Sequence, residues 1–129
     1  MMAKTARMFM IAGALALTVA VALPASAKGT AVVRRGSCSG SSHWKVKLAP
    51  DNGRIEVQFE VDSNVNGQTW HVRILENGSR IFMGDRVTHA PSGSFEVRKL
   101  ATNTPGTDSV RGRAVNASTG EICVGRASI

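Results

Sequence analysis

Arg54-Ile55-Glu56-Val57-Gln58-Phe59-Glu60-Val61 alternates polar and apolar residues through four full cycles, the period of two that a half-buried β-strand requires and an α-helix does not match. Ile55, Val57, Phe59 and Val61 share one side, and Arg54, Glu56, Gln58 and Glu60 the other. The same period extends outward in both directions. Upstream, Trp44, Val46 and Leu48 alternate with His43, Lys45 and Lys47; downstream, Trp70, Val72 and Ile74 alternate with Thr69, His71 and Arg73. Asn77-Gly78 is a two-residue turn whose central positions need positive φ, and it marks a hairpin into residues 80–88. Further strands are predicted over about 94–101, 108–116 and 121–128.

Turn-forming residues separate every pair of these segments: Pro50 to Gly53, Asn64 to Gly67, Pro91-Ser92-Gly93, Pro105-Gly106 and Ser118-Thr119-Gly120. Helical periodicity is sustained nowhere after Ala27. The pattern predicts an all-β fold, an immunoglobulin- or fibronectin-III-like antiparallel β-sandwich of about seven strands. The first, second and fifth strands are expected in one sheet, and the third, fourth, sixth and seventh in the other. Trp44, Ile55, Val57, Phe59, Val61, Trp70, Val72, Ile74, Phe95 and Val97 are expected to fill the space between them.

The first 27 residues read differently. Lys4 and Arg7 precede an uncharged, mainly apolar run from Met8 to Leu23, and Ala25-Ser26-Ala27 has the small-x-small form of a signal peptidase site. The run is shorter than the ~20 residues a transmembrane span prefers, so residues 1–27 are expected to be a secretory signal peptide rather than an anchor. Residues 28–41 then form an N-terminal segment and residues 42–129 the sandwich domain. Removing the leader takes two of the 16 cations and none of the nine anions, leaving a formal charge of +5. Export also sets the redox compartment: the two cysteines, Cys38 and Cys123, are expected to form one disulfide across nearly the whole domain.

Four stretches resemble a group of small exported single-domain proteins from high-GC Gram-positive bacteria: Cys38 to Lys45, Asp51 to Asp62, Ala90 to Glu96, and Thr119 to Cys123. The resemblance spans nearly all of residues 28–129 and implies export and a compact β-sandwich. It carries over no activity and no site residues.

Enzyme chemistry finds little support. Ser41, Ser42 and His43 are adjacent, but neighbours along a strand point to opposite faces, so no nucleophile–base pair is expected. Glu56 and Glu60 share a face about 13 Å apart, too far for a glycosidase pair. His43, His71 and His89 lack a recognisable ligand spacing, and no metal or cofactor is expected. Asn77-Gly78-Ser79 and Asn116-Ala117-Ser118 match the glycosylation acceptor pattern, which agrees with exposed turns.

Charge placement is more informative. With Trp70, Val72 and Ile74 inward, His71 and Arg73 face outward; with Val110, Gly112 and Ala114 inward, so do Arg111 and Arg113. Arg126, and Arg80 or Arg86, could extend the array into a basic sheet face for an anionic cell-envelope polymer or an extracellular protein. Nucleic acid fits less well, because both tryptophans are committed to the core and no other aromatic offers a stacking platform. Val115, Ile122 and Val124 either join this face as an aliphatic patch or are buried by a bulge that shifts the phase of the last strand. The alternatives are an inhibitor of a secreted hydrolase, presenting Ala90 to Ser94 or Thr102 to Thr107, and an enzyme whose site the motifs do not reveal.

Overall fold

A computed structural model describes residues 13–20 and 28–129. Of the expected signal peptide, residues 1–12 and 21–27 lie outside the described part, and residues 13–20 carry no regular secondary structure. The described chain holds eight strands: β1 (Val32–Ser37), β2 (His43–Asp51), β3 (Arg54–Asp62), β4 (Thr69–Glu76), β5 (Ser79–Val87), β6 (Ser94–Thr102), β7 (Ser109–Asn116) and β8 (Ile122–Ser128). They form two four-stranded antiparallel sheets, in the orders β1-β2-β3-β6 and β5-β4-β7-β8. The two sheets take the seven expected strands in the expected division.

The addition is β1, in the N-terminal segment, for which the sequence predicts no strand. Val32-Val33-Arg34-Arg35 has no alternation to announce it, and β1 is an edge strand whose only partner is β2, from Val32 opposite Leu48 to Ser37 opposite His43. Arg34 lies opposite buried Val46, in an inward register position, yet is exposed. A charge placed so blunts an open edge.

Two hairpins follow from asparagine–glycine pairs. Asn52 and Gly53, and Asn77 and Gly78, all have positive φ, the geometry whose twist matches the flanking strands. One irregularity interrupts the β4–β5 ladder, where Ile74 pairs with Phe82 but Leu75 pairs with Arg80. Ile81 is the extra residue, and it packs against the core edge.

Val46, Leu48, Ile55, Val57, Phe59, Val61, Trp70 and Ile74 are completely buried between the sheets, with Val72, Phe95 and Val97 nearly so. The sheets pack tightly across Gly112, where a Cβ would stand 2.7 Å from the Phe59 ring. Trp44 departs from expectation. It is half-buried at the open side of the sandwich, its indole lying over Gly36 of β1 and Gly125 of β8.

Gln58, expected on a solvated face, is only 7% exposed, because it stands in the middle of its sheet between Lys47 and Arg98. Cys38 and Cys123 form the disulfide, 85 residues apart. Since Cys38 follows β1 and Cys123 lies in β8, the bond ties the edge of one sheet to the edge of the other. Beside it, Ser42 donates its backbone N–H and its hydroxyl to the two carboxylate oxygens of Glu121, at 3.0 and 2.6 Å.

A second fastening lies at the opposite end. Asp108, fully buried, accepts hydrogen bonds from the Lys28 ammonium, from the Thr104 N–H and hydroxyl, and from the Asn77 side-chain amide. Its backbone pairs with Ile129. Three separated residues therefore meet on one carboxylate, and a fourth joins through the backbone of the same residue. Burial opposes its charge, but the Lys28, Thr104 and Asn77 donors outweigh that and hold it far below the ordinary carboxylate range. Glu121 is likewise held low by Ser42 against the effect of burial. Glu76 goes the other way, raised by burial and by the nearby Asp108 charge.

Replacing both cysteines by alanine should reduce unfolding free energy by about 4–5 kcal/mol in the chain-entropy picture, read by guanidinium denaturation; a loss below about 1 kcal/mol would contradict it. The carboxyls set an acid limb. Folded pKa values depressed at Asp108 and Glu121 give stability that is full above the unfolded value of about 4 and declines as pH falls through it. Asp108→Asn should cost roughly 3–5 kcal/mol at neutral pH by stranding Lys28 and should flatten part of that limb. Glu76→Gln, which removes an acid disfavoured in the fold, should raise stability at neutral pH.

Candidate functional site

The outward residues of β5, β4, β7 and β8 form an ordered grid. Along one row Asp85, His71, Val115 and Ile122 are cross-strand partners; along the next, Met83, Arg73, Arg113 and Val124; along the third, Arg80, Leu75, Arg111 and Arg126. The residues expected to share this face, His71, Arg73, Arg111, Arg113 and Arg126, do so, with Arg73 directly opposite Arg113 and Arg111 directly opposite Arg126. Arg80 joins them. Arg86 does not: it occupies an inward register position opposite Trp70, and its guanidinium lies 4.7 Å from the Phe82 ring centroid.

The phase of β8 is settled by Cys123, which is fully buried. β7 and β8 stay paired without a shift from Ser109–Ser128 to Val115–Ile122, so no bulge carries Ile122 or Val124 inward. Both face out beside half-buried Val115, with Met83, 66% exposed, across the sheet. The face is thus a mosaic of guanidinium groups and aliphatic side chains.

Among the described residues its only acid is Asp85, whose Oδ1 lies 2.6 Å from His71 Nδ1. Among the described residues, Arg73, Arg111, Arg113 and Arg126 make no ion pair. The opposite face of the sandwich is different. There Lys45 reaches Glu60 at 3.5 Å, and Arg98 reaches Glu96 at 3.0 Å and Glu56 at 3.8 Å. Like charges placed directly across a ladder repel; on the other face Arg35 opposite Lys45 and Glu60 opposite Glu96 do so too, but there acids and bases also pair, whereas the arginine array has no paired acid to offset it.

At the lower end of the array a cavity of about 600 Å³ opens between the β4–β5 turn and the paired ends of β7 and β8. Leu75, Ser109, Arg111, Arg126 and Ser128 line it. The Arg111 Nε is buried and has no hydrogen-bond partner, a condition that costs roughly 1–3 kcal/mol. Ser109 and Ser128 were absent from the sequence-based site, although both lie two residues from an arginine already placed on this face. A smaller hollow of about 290 Å³ lies higher, bordered by His71, Arg73, Met83, Asp85 and Arg113.

The remaining candidates do not converge. Ser42 is buried and bonded to Glu121, Ser41 is exposed, and His43 is exposed on the next position of β2. His71 and His89 lie on the sheet face and in the β5–β6 loop, and among the described residues no three His, Cys, Asp or Glu side chains gather into a metal-binding group. Ala90 to Ser92 is an exposed loop, and the 102–107 loop is tethered to Asp108 through Thr104. A groove of about 440 Å³ beside the disulfide is lined by serines, Gln68 and Glu121. No family model matches the chain, and neither does any curated protein.

If the arginines serve a ligand rather than the fold, Arg73→Ser or Arg113→Ser should leave stability unchanged or raise it by up to about 1 kcal/mol at low salt, with the difference fading near 1 M salt. Chemical denaturation at two salt concentrations reads this. A loss above about 1 kcal/mol would make them structural.

Proposed function

We propose that the protein is an exported, non-enzymatic β-sandwich that binds an anionic polymer of the cell envelope through the outer face of β5, β4, β7 and β8. The observation that carries this reading is the contrast between its two faces. One accompanies its bases with Glu56, Glu60 and Glu96, which pair with Lys45 and Arg98; the other gathers Arg73, Arg80, Arg111, Arg113 and Arg126 around a single acid already paired with a histidine. A surface charge needed only for solubility has no reason to segregate in this way.

Export is supported by the disulfide, which persists in oxidising compartments, and among the described residues no helix is long and apolar enough to cross a membrane. The sheet orders support kinship with fibronectin-III-like sandwiches. β2, β3 and β6 stand as one sheet, and β5, β4, β7 and β8 as the other, with β1 added at the N-terminal edge.

A second reading is favoured by Met83, Val115, Ile122 and Val124, which place aliphatic surface among the arginines. Arginine and methionine are enriched at protein interfaces, so an extracellular protein with an acidic patch would suit the same mosaic.

Two variants of equal charge separate a face effect from a bulk effect. Arg73, Arg111, Arg113 and Arg126 are changed to Ser in one, and Arg35, Lys45, Lys47 and Arg98 in the other, and each is eluted from immobilised polyphosphate over a salt gradient. The first should elute at markedly lower salt than the parent and the second close to it. Equal losses would reduce the effect to net charge and sink the proposal.

A further inference from the structure

We infer that the cavity between the β4–β5 turn and the ends of β7 and β8 is a discrete pocket for a phosphate group, monoester or diester, held by Arg111 and Arg126 with the hydroxyls of Ser109 and Ser128. This deepens, and rests on, the reading of the basic face.

Three features set this spot apart from the rest of the array. The first is the Arg111 guanidinium itself, a permanently charged group on the cavity wall that makes no ion pair among the described residues. The second is a surplus of donors. Ser109 and Ser128 have hydroxyl oxygens 3.1 Å apart; whichever donates to the other, the second keeps its hydrogen free. Arg126, directly opposite Arg111, adds an exposed guanidinium. The lining includes no carboxylate.

Rigidity is the third feature. The Ser109 N–H donates to Asn77 Oδ1 at 2.9 Å, the Asn77 side-chain amide donates to Asp108 Oδ1 at 2.8 Å, and Asn77 N–H donates to the Ser109 carbonyl at 2.8 Å. The rim is therefore fixed before any ligand arrives, which lowers the ordering cost of binding. Donors reach the cavity from two adjacent strands and so approach a bound group from more than one direction. A tetrahedral oxyanion supplies enough acceptors, and the arginine fork matches its geometry.

The test is titration of inorganic phosphate into the ¹⁵N-labelled protein, following the Arg111 Nε–Hε resonance and the Ser109 and Ser128 amides, and then the same titration with R111K and with R35K on the opposite face. Lysine keeps the charge but has no Nε donor in a fork. Saturable shifts confined to these resonances, weakened tenfold or more by R111K and not by R35K, are expected. Shifts that never saturate, or equal weakening by both variants, would overturn the pocket.

Elution of R111K from polyphosphate distinguishes the two levels. Parent-like elution with no phosphate saturation removes the pocket and leaves the face reading intact. Loss of face-dependent elution in the four-arginine variant's comparison would remove the face reading itself. Vesicles of phosphatidylglycerol and of phosphatidylcholine identify the source: perturbation of Arg111 by the former alone assigns a lipid headgroup, while saturation by phosphate with neither vesicle active assigns a soluble phosphoester or polymer. Both uphold the pocket.

Discussion

The outer face of the second sheet depends on one geometric constraint, the unbroken phase of β4, β7 and β8. Side chains alternate strictly along a strand, and a slip of one residue would turn every inward group outward. Cys123 pins that phase. Its sulfur must reach Cys38 at the neighbouring sheet edge, so Ile122, Val124 and Arg126 have to point away from the core. The pairing of β7 with both β4 and β8 then carries the same phase to Arg111, Arg113 and Arg73.

Given that phase, the chemistry of the two outer faces diverges. Core residues on β3 and β7 meet where Phe59 covers Gly112, and behind this shared interior one surface balances its charges while the other concentrates them. The Asp108 clamp links stability to the concentrated face. It draws Lys28, Thr104, Asn77 and Ile129 together through side-chain and backbone bonds, and Asn77 in turn holds Ser109 at the end of the arginine array. Rigidity at that end is a product of the fold, and it is available to any ligand that docks there.

Much of this was legible from residue order. The period-two segments located β2, β3 and β4, the turn residues placed β5 to β8 between them, and the inward assignment of Trp70, Val72 and Ile74 placed His71 and Arg73 correctly outside. What escaped has identifiable causes. β1 has no alternation because it is an edge with one partner and an exposed arginine in an inward position. Arg86 was one of two candidates until the Ile81 bulge fixed which of them faces outward. Gln58 is covered because its sheet neighbours are long side chains. The Asp108 clamp was invisible, since its partners come from four places in the chain and none lies in a motif. The phase of Ile122 and Val124 needed the β7–β8 register, which sequence alone left open.

The most direct check of the central claim is arginine-selective modification with phenylglyoxal, mapped by mass spectrometry with and without polyphosphate. Arg73, Arg111, Arg113 and Arg126 are expected to be protected together, while Arg35, Arg54 and Arg98 react as before. Protection spread evenly over all arginines, or absent from the first four, would contradict a binding role for this face.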